Sequence, residues 1–211
     1  MKTDDLIGLL AADSSSPWRL RKVLAVAIAC GVLIAATMFF VGIGFRPDID
    51  QAMSSIRFLF KFVITIALAI TATSAVFIAA RPDVRLGWRG TALAIAPVLI
   101  VCAAAVELMV LPENQWMPHM IGHNARFCLT LIPLLAIGPL ACLLVALRRG
   151  APSNPGRAGA IAGLAASGIA ATFYAANCND DSPLFVMAWY PLATLIVTAA
   201  GYLIGRKLLR W

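Results

Sequence analysis

An all-α integral membrane protein with six spanning helices, both termini cytoplasmic, is the fold class this sequence predicts. Three observations carry that expectation. Of the 211 residues, 61% are hydrophobic and 13% charged, whereas soluble domains carry about 25% charged residues. The apolar residues gather into six runs of about 20, the length a bilayer core demands of a helix. Lys and Arg punctuate these runs on alternate sides. A mean hydropathy of +0.88 excludes a disordered tail, and five cysteines are too few for a secreted disulfide scaffold. The net charge of +7 is dispersed between apolar runs rather than gathered on one surface, so it does not point to nucleic acid.

In chain order, residues 1–22 read as a cytoplasmic amphipathic leader. Thr3 can cap a helix, Asp4 and Asp5 sit in its favourable first turn, and Leu6, Ile7, Leu9 and Leu10 make an apolar stripe. Ser14, Ser15, Ser16 and Pro17 then break it. Anionic lipid would repel its acidic face, so a protein groove suits it better. The six-helix domain follows over 23–211, with spans at Val23 to Phe45, Phe62 to Ala80, Thr91 to Leu111, Cys128 to Leu147, Ala158 to Ala176 and Phe185 to Gly205. The first span is too long, and its upstream segment too acidic, for a cleavable signal peptide.

Thirteen of the 17 Lys and Arg fall on the side that carries both termini; Arg46, Arg57, Lys61 and Arg126 are the exceptions. The positive-inside rule makes that side cytoplasmic. Gly159, Gly163 and Ser167 share one helix face, as do Gly201 and Gly205, and such faces let helix backbones approach closely. Pro133 and Pro139 make the fourth span a candidate hinge.

Catalytic signals are sparse. Glu107 is the one acid within a span, near its outer end, where snorkelling to the interface accounts for it. No histidine falls in a span, which argues against an intramembrane Ser-His protease. A quinone-coupled thiol oxidase would want a CxxC motif or two outer cysteine pairs. The chain therefore reads as no enzyme and without a resident cofactor. A small transporter or exporter of a stress agent, or a membrane thiol oxidoreductase, is the alternative reading.

The cysteines divide by depth. Cys30, Cys102 and Cys142 fall within spans, where a thiol is ordinarily a small buried hydrophobe. Cys128 opens the fourth span and Cys178 follows the fifth, so both reach the outer interface. A helix N-terminus with Arg126 and His123 nearby favours thiolate at Cys128; a helix C-terminus followed by Asp180 and Asp181 disfavours it at Cys178. This predicts a reactive Cys128 and a resolving Cys178. A transient heavy-metal ion held by the two thiolates is an alternative, and His119, His123, Asp180 and Asp181 are auxiliary metal-ligand candidates if that loop is helical.

The start MKTDDLIGLLAAD, the stretch FRPDID, GHNARFC at 122–128, LRRGAP at 147–152, NCNDDSP at 177–183 and the terminal GRKLLRW together resemble the NrsF-type membrane anti-sigma factors, the negative regulators of sigma F. The likeness runs nearly end to end. It implies a bacterial inner-membrane protein that holds an extracytoplasmic-function sigma factor inactive at the cytoplasmic face and frees it under oxidative or heavy-metal stress. The family's paired outer cysteines match Cys128 and Cys178, and its amino-terminal sigma-contact stretch matches Thr3 to Ile7. Asn124 and Ala125 depart from the family's pattern, where an aromatic is expected after His123.

Overall fold

The computed structural model describes residues 17–82 and 87–210; among them every regular element is a helix. The leader residues Thr3, Asp4, Asp5, Leu6, Leu9 and Leu10 lie outside the described residues. The helices are α1 (Pro17–Gly42), α2 (Ile49–Ala52), α3 (Ile56–Ala79), α4 (Gly87–Ala92), α5 (Ile95–Val110), α6 (Glu113–Ile121), α7 (Ala125–Leu147), α8 (Pro155–Ala175) and α9 (Pro183–Leu208). Six helical stretches among them are long and apolar enough to cross a membrane, as the hydropathy predicts.

At their charged ends helices α1, α3, α8 and α9 outrun the predicted apolar runs, because a charge ends an apolar run without ending a helix, whereas α1 stops at Gly42, short of the Phe45 expected. Helix α1 begins at Pro17, whose fixed φ and missing N–H suit a first helical position. Helix α3 begins at Ile56, so Arg57 and Lys61 lie inside it rather than before it. The third span is broken instead of continuous: α4 ends at Ala92 and α5 starts at Ile95. Pro97 accounts for the break, because it has no N–H to offer the Leu93 carbonyl one turn earlier. Two later helices start on the same local chemistry. The Asn154 side chain accepts from the Arg157 N–H ahead of α8, the Ser182 hydroxyl accepts from the Leu184 N–H ahead of α9, and each helix opens on a proline.

Helix α8 is the centre of the bundle, with 78% of its apolar window buried against α3, α7 and α9. Small residues make this possible. A Cβ on Gly159 would collide with the Gly201 carbonyl, one on Gly163 would stand 2.7 Å from the Val197 carbonyl oxygen, and one on Gly168 would stand 2.7 Å from the Ala69 nitrogen. The small-residue faces are thus packing faces, as expected. Gly31 seats α1 on α7 in the same way, against Pro139, and α7 stays helical through both of its prolines.

Two expectations about depth are corrected. Cys30 and Cys102 are exposed on the outside of the bundle rather than buried in it, where an apolar solvent would bathe them. Glu107 does not snorkel; it is 6% exposed and paired inside the bundle.

Candidate functional site

The segment from Asn177 to Ser182, joining α8 to α9, is held by polar contacts at Asn177, Cys178, Asp180, Asp181 and Ser182. The Asn177 side chain donates to the Gly44 carbonyl at 3.1 Å. The Cys178 carbonyl accepts from Lys61 Nζ at 2.8 Å and from Arg46 Nη1 at 3.3 Å. Asp180 Oδ2 accepts from the backbone N–H of His123 (2.9 Å) and of Asn124 (2.7 Å), satisfying donors that the start of α7 would otherwise leave without partners. Asp181 is clamped between Lys61 and Arg46. The Ser182 hydroxyl donates to Glu107 Oε1 at 3.2 Å, and Arg57 pairs with the other carboxylate oxygen at 3.2 Å. One short loop therefore ties α3, α5, α7, α8 and α9 together at one end of the bundle.

Cations at this end are costly to bury and are retained only where partnered. Lys61 is 1% exposed and Arg46 7%. Both also stand over the buried Phe58 ring, at 5.3 Å and 5.6 Å from its centroid. The Asp48 carboxylate, accepting from Nε and Nη2 of Arg46 at 2.7 Å each, holds the guanidinium above its ordinary value, and Asp181 adds to this. In return Arg46 holds the Asp48 carboxyl below the usual range.

Behind the loop lie the two cysteines. Fifty residues apart in sequence, Cys128 and Cys178 share one buried cluster with Tyr174 and Tyr190, each within electrostatic reach of the others. Cys128 is 0% exposed and Cys178 1%, and both are free thiols. The Tyr174 hydroxyl, beside Cys178 Sγ, donates to the Asn124 carbonyl at 3.4 Å. Burial pushes the Cys178 thiol up, and Lys61 opposes that shift.

The expected division of labour between the thiols does not follow from this arrangement. His123 is almost fully exposed and Arg126 is exposed, while Cys128 faces the core; the cation nearest the pair is Lys61, on the Cys178 side. A buried pair predicts that a membrane-impermeant maleimide labels neither cysteine in the resting bundle and labels both after denaturation. Fast labelling of the folded protein would contradict the burial.

The auxiliary residues gather without forming a metal site. His119, His123, Asp180 and Asp181 line one open pocket of about 330 Å³ together with Arg57 and Ser182. Helix α6 ends at Ile121 and Gly122 turns the chain at φ 58°, so His119 and His123 do not share a helical face. Asp180 is occupied by the start of α7. Among the described residues, no three His, Cys, Asp or Glu side chains converge on a point where a metal ion would sit.

The sequence reading gave no site role to Arg46, Lys61 or Glu107, although it noted all three, and it did not single out Ser182, Tyr174 or Tyr190. A signal for the first two was present: they are exceptions to the positive-inside count, and Asp48, Asp180 and Asp181 fall on their side of the bundle.

Comparison with known proteins agrees with the pattern of the whole chain. The family model described as NrsF, negative regulator of sigma F, matches residues 10–211. The anti-sigma-F factor NrsF of Caulobacter vibrioides (strain NA1000 / CB15N) is 36% identical over 220 residues, covering all of both chains. The probable anti-sigma-F factor NrsF of Azospira oryzae (strain ATCC BAA-33 / DSM 13638 / PS) is 32% identical over 215 residues, again covering all of both. No solved structure matches the chain.

Proposed function

The chain belongs to the NrsF family of negative regulators of sigma F, and on that premise we propose a membrane-bound anti-sigma factor switched by its buried cysteine pair. It is a regulatory protein, not a catalyst. In this reading the chain spans the bacterial inner membrane six times with both termini cytoplasmic, and the loop from Asn177 to Ser182 faces the periplasm. The partner is an extracytoplasmic-function sigma factor, with the leader around Thr3 to Leu10 as its contact segment. The inducing signal is an oxidant that bridges Cys128 and Cys178, or a soft heavy-metal ion captured by the two thiolates.

One observation supports this above the others: the loop that carries Cys178 also carries the ties to five helices. Bridging or metallating the pair displaces Cys178, and its carbonyl is held by Lys61 of α3. Helix α3 runs to the opposite end of the bundle, where the Ala80 carbonyl accepts from the Ala151 N–H at 3.2 Å in the basic loop between α7 and α8. A shift of α3 therefore reaches the cytoplasmic face without a chain of small side-chain motions, a bistable packing change of the kind that carries switches.

The test is sigma-dependent transcription in cells carrying Cys128→Ser or Cys178→Ser. Each single variant is expected to abolish induction by oxidant and by heavy metal while basal repression persists. Full induction in both variants, with the protein present at normal level, would place the sensor elsewhere.

A further inference from the structure

At the end of the bundle opposite the Asn177 to Ser182 loop, a groove of about 490 Å³ lies between α1, α3 and α4. Three arginines line it: Arg21 of α1, Arg81 just past the end of α3, and Arg89 of α4. Ile70, Phe77 and Ile78 of α3 form its apolar wall, and Trp88 stands beside Arg89, whose guanidinium is 5.5 Å from the indole centroid. Arg89 Nη1 also reaches the Ser74 carbonyl at 3.5 Å, which holds its guanidinium against α3. The two hydroxyls on the wall are already spent, since Thr73 donates to the Ala69 carbonyl and Ser74 to the Thr71 carbonyl. That leaves the three guanidinium groups as the charged donors toward an occupant.

Three cations in one groove need a counter-charge, and the described part of the bundle does not supply it. Among the described residues every ion pair lies at the other end, on Arg46, Arg57, Lys61 or His123. Every described acid lies there too: Asp48, Asp50, Glu107, Glu113, Asp180 and Asp181. The groove therefore suits an anion. The rest of the occupant's chemistry follows from the groove's length. Ile70, Thr73, Ser74, Phe77, Ile78 and Arg81 recur at three- and four-residue spacing, so they run down one face of α3 for about 16 Å, the depth of one lipid leaflet's hydrocarbon. The arginines and Trp88 mark the interfacial end, and Ile70, 62% exposed, marks the end within hydrocarbon. A free phosphate has no use for such a wall, and an acidic peptide laid along it would carry unpaired backbone groups into lipid. An anionic head with an acyl chain matches both ends.

We propose that this groove binds one anionic phospholipid, its phosphodiester held by Arg21, Arg81 and Arg89 and an acyl chain laid along Phe77 and Ile70. Guanidinium groups suit the task because each offers paired N–H donors to phosphate oxygens, and basic pockets between spanning helices on the cytoplasmic side are where acidic headgroups bind. The site rests on the membrane reading above, which makes this end of the bundle cytoplasmic. A lipid seated here bridges α1 and α4 to α3, the helix whose Lys61 holds the Cys178 carbonyl at the far end.

The experiment incorporates the full-length protein into nanodiscs of equal parts phosphatidylglycerol and phosphatidylcholine, releases it into mild detergent and weighs it intact, so that retained lipids are counted and their affinity is titrated. One tightly retained phosphatidylglycerol per chain is expected. Arg81→Gln and Arg89→Gln are each expected to weaken it about fivefold, the effect of one interfacial cation, while Arg148→Gln together with Arg149→Gln, exposed at the same end of the bundle, leaves it unchanged. Equal losses from both sets of variants would mean diffuse surface charge and overturn the site. Equal competition by glycerol phosphate, which has the anion and no chains, overturns the lipid as occupant. Retention seen only after Asp4→Asn, Asp5→Asn, Asp13→Asn and Asp83→Asn are combined would mean that the chain's own carboxylates hold the arginines, and overturns it too. Protein that enters the nanodiscs and retains no phosphatidylglycerol, or both lipids equally, overturns the site alone; protein that does not enter them overturns the membrane reading along with it.

Discussion

Gly159→Leu is expected to leave almost no folded protein. A Cβ at this position already collides with the Gly201 carbonyl and would stand 2.9 Å from the Gly205 Cα, so the obstacle is the α9 backbone at two points and no side chain can yield. Helices α8 and α9 would have to separate, and α8 is the helix against which α3, α7 and α9 all pack. Overpacking a core ordinarily costs about 1–3 kcal/mol where side chains can rearrange, and more where they cannot. Gly159→Ala meets the same carbonyl and is expected to be intermediate. Gly42→Ala is the control, since nothing lies within 4 Å of its added methyl. Detergent-solubilised yield and thermal melting measure all three. A Gly159→Leu protein melting like the wild type would mean that the two helices do not meet at these glycines.

Lys61→Met is expected to cost about 3 kcal/mol, toward the low end for removing one partner of a buried ion pair. The low end applies because Arg46 still reaches both Asp181 and the Cys178 carbonyl. The functional effect should exceed the thermodynamic one: with the tie between α3 and the Cys178 loop cut, sigma-dependent transcription is expected to rise without any inducer. Pairing the change with Asp181→Asn separates the two roles. The double variant should be less damaged than the sum of the singles by about 1 kcal/mol or more, because each single change leaves the other charge short of a partner. Additive losses together with normal repression would remove Lys61 from the switch.

These outcomes bear on a site that was only half legible beforehand. Cys128 and Cys178 were readable because their depth follows from counting apolar runs, and depth is a one-dimensional property. The small-residue faces of α8 and α9 were readable for a similar reason, since four-residue spacing fixes a helix face. Lys61 was lost to the same counting. A rule that ends a span at a charge stops at Phe62, whereas the helix continues back to Ile56, its cations partnered by Asp181 on the loop between α8 and α9 and by Glu107 of α5. Glu107 was misjudged in the same way: alone it would reach for water, but Ser182 bonds it within the bundle and the half-exposed Arg57 reaches in to pair with it.

The sequence by itself determined the six apolar helices, the asymmetry of basic residues between their ends and the family. All three depend on local composition summed along the chain, and no folding is needed to evaluate them. Tertiary structure alone decided which ionisable groups are partnered, and hence that Arg46 and Lys61 can be buried, that Asp180 serves the start of α7 rather than a metal ion, and that both thiols are buried and free. Partnership depends on distances between residues such as Lys61 and Asp180, 119 positions apart, and in a low-dielectric interior it determines whether a charge is tolerated.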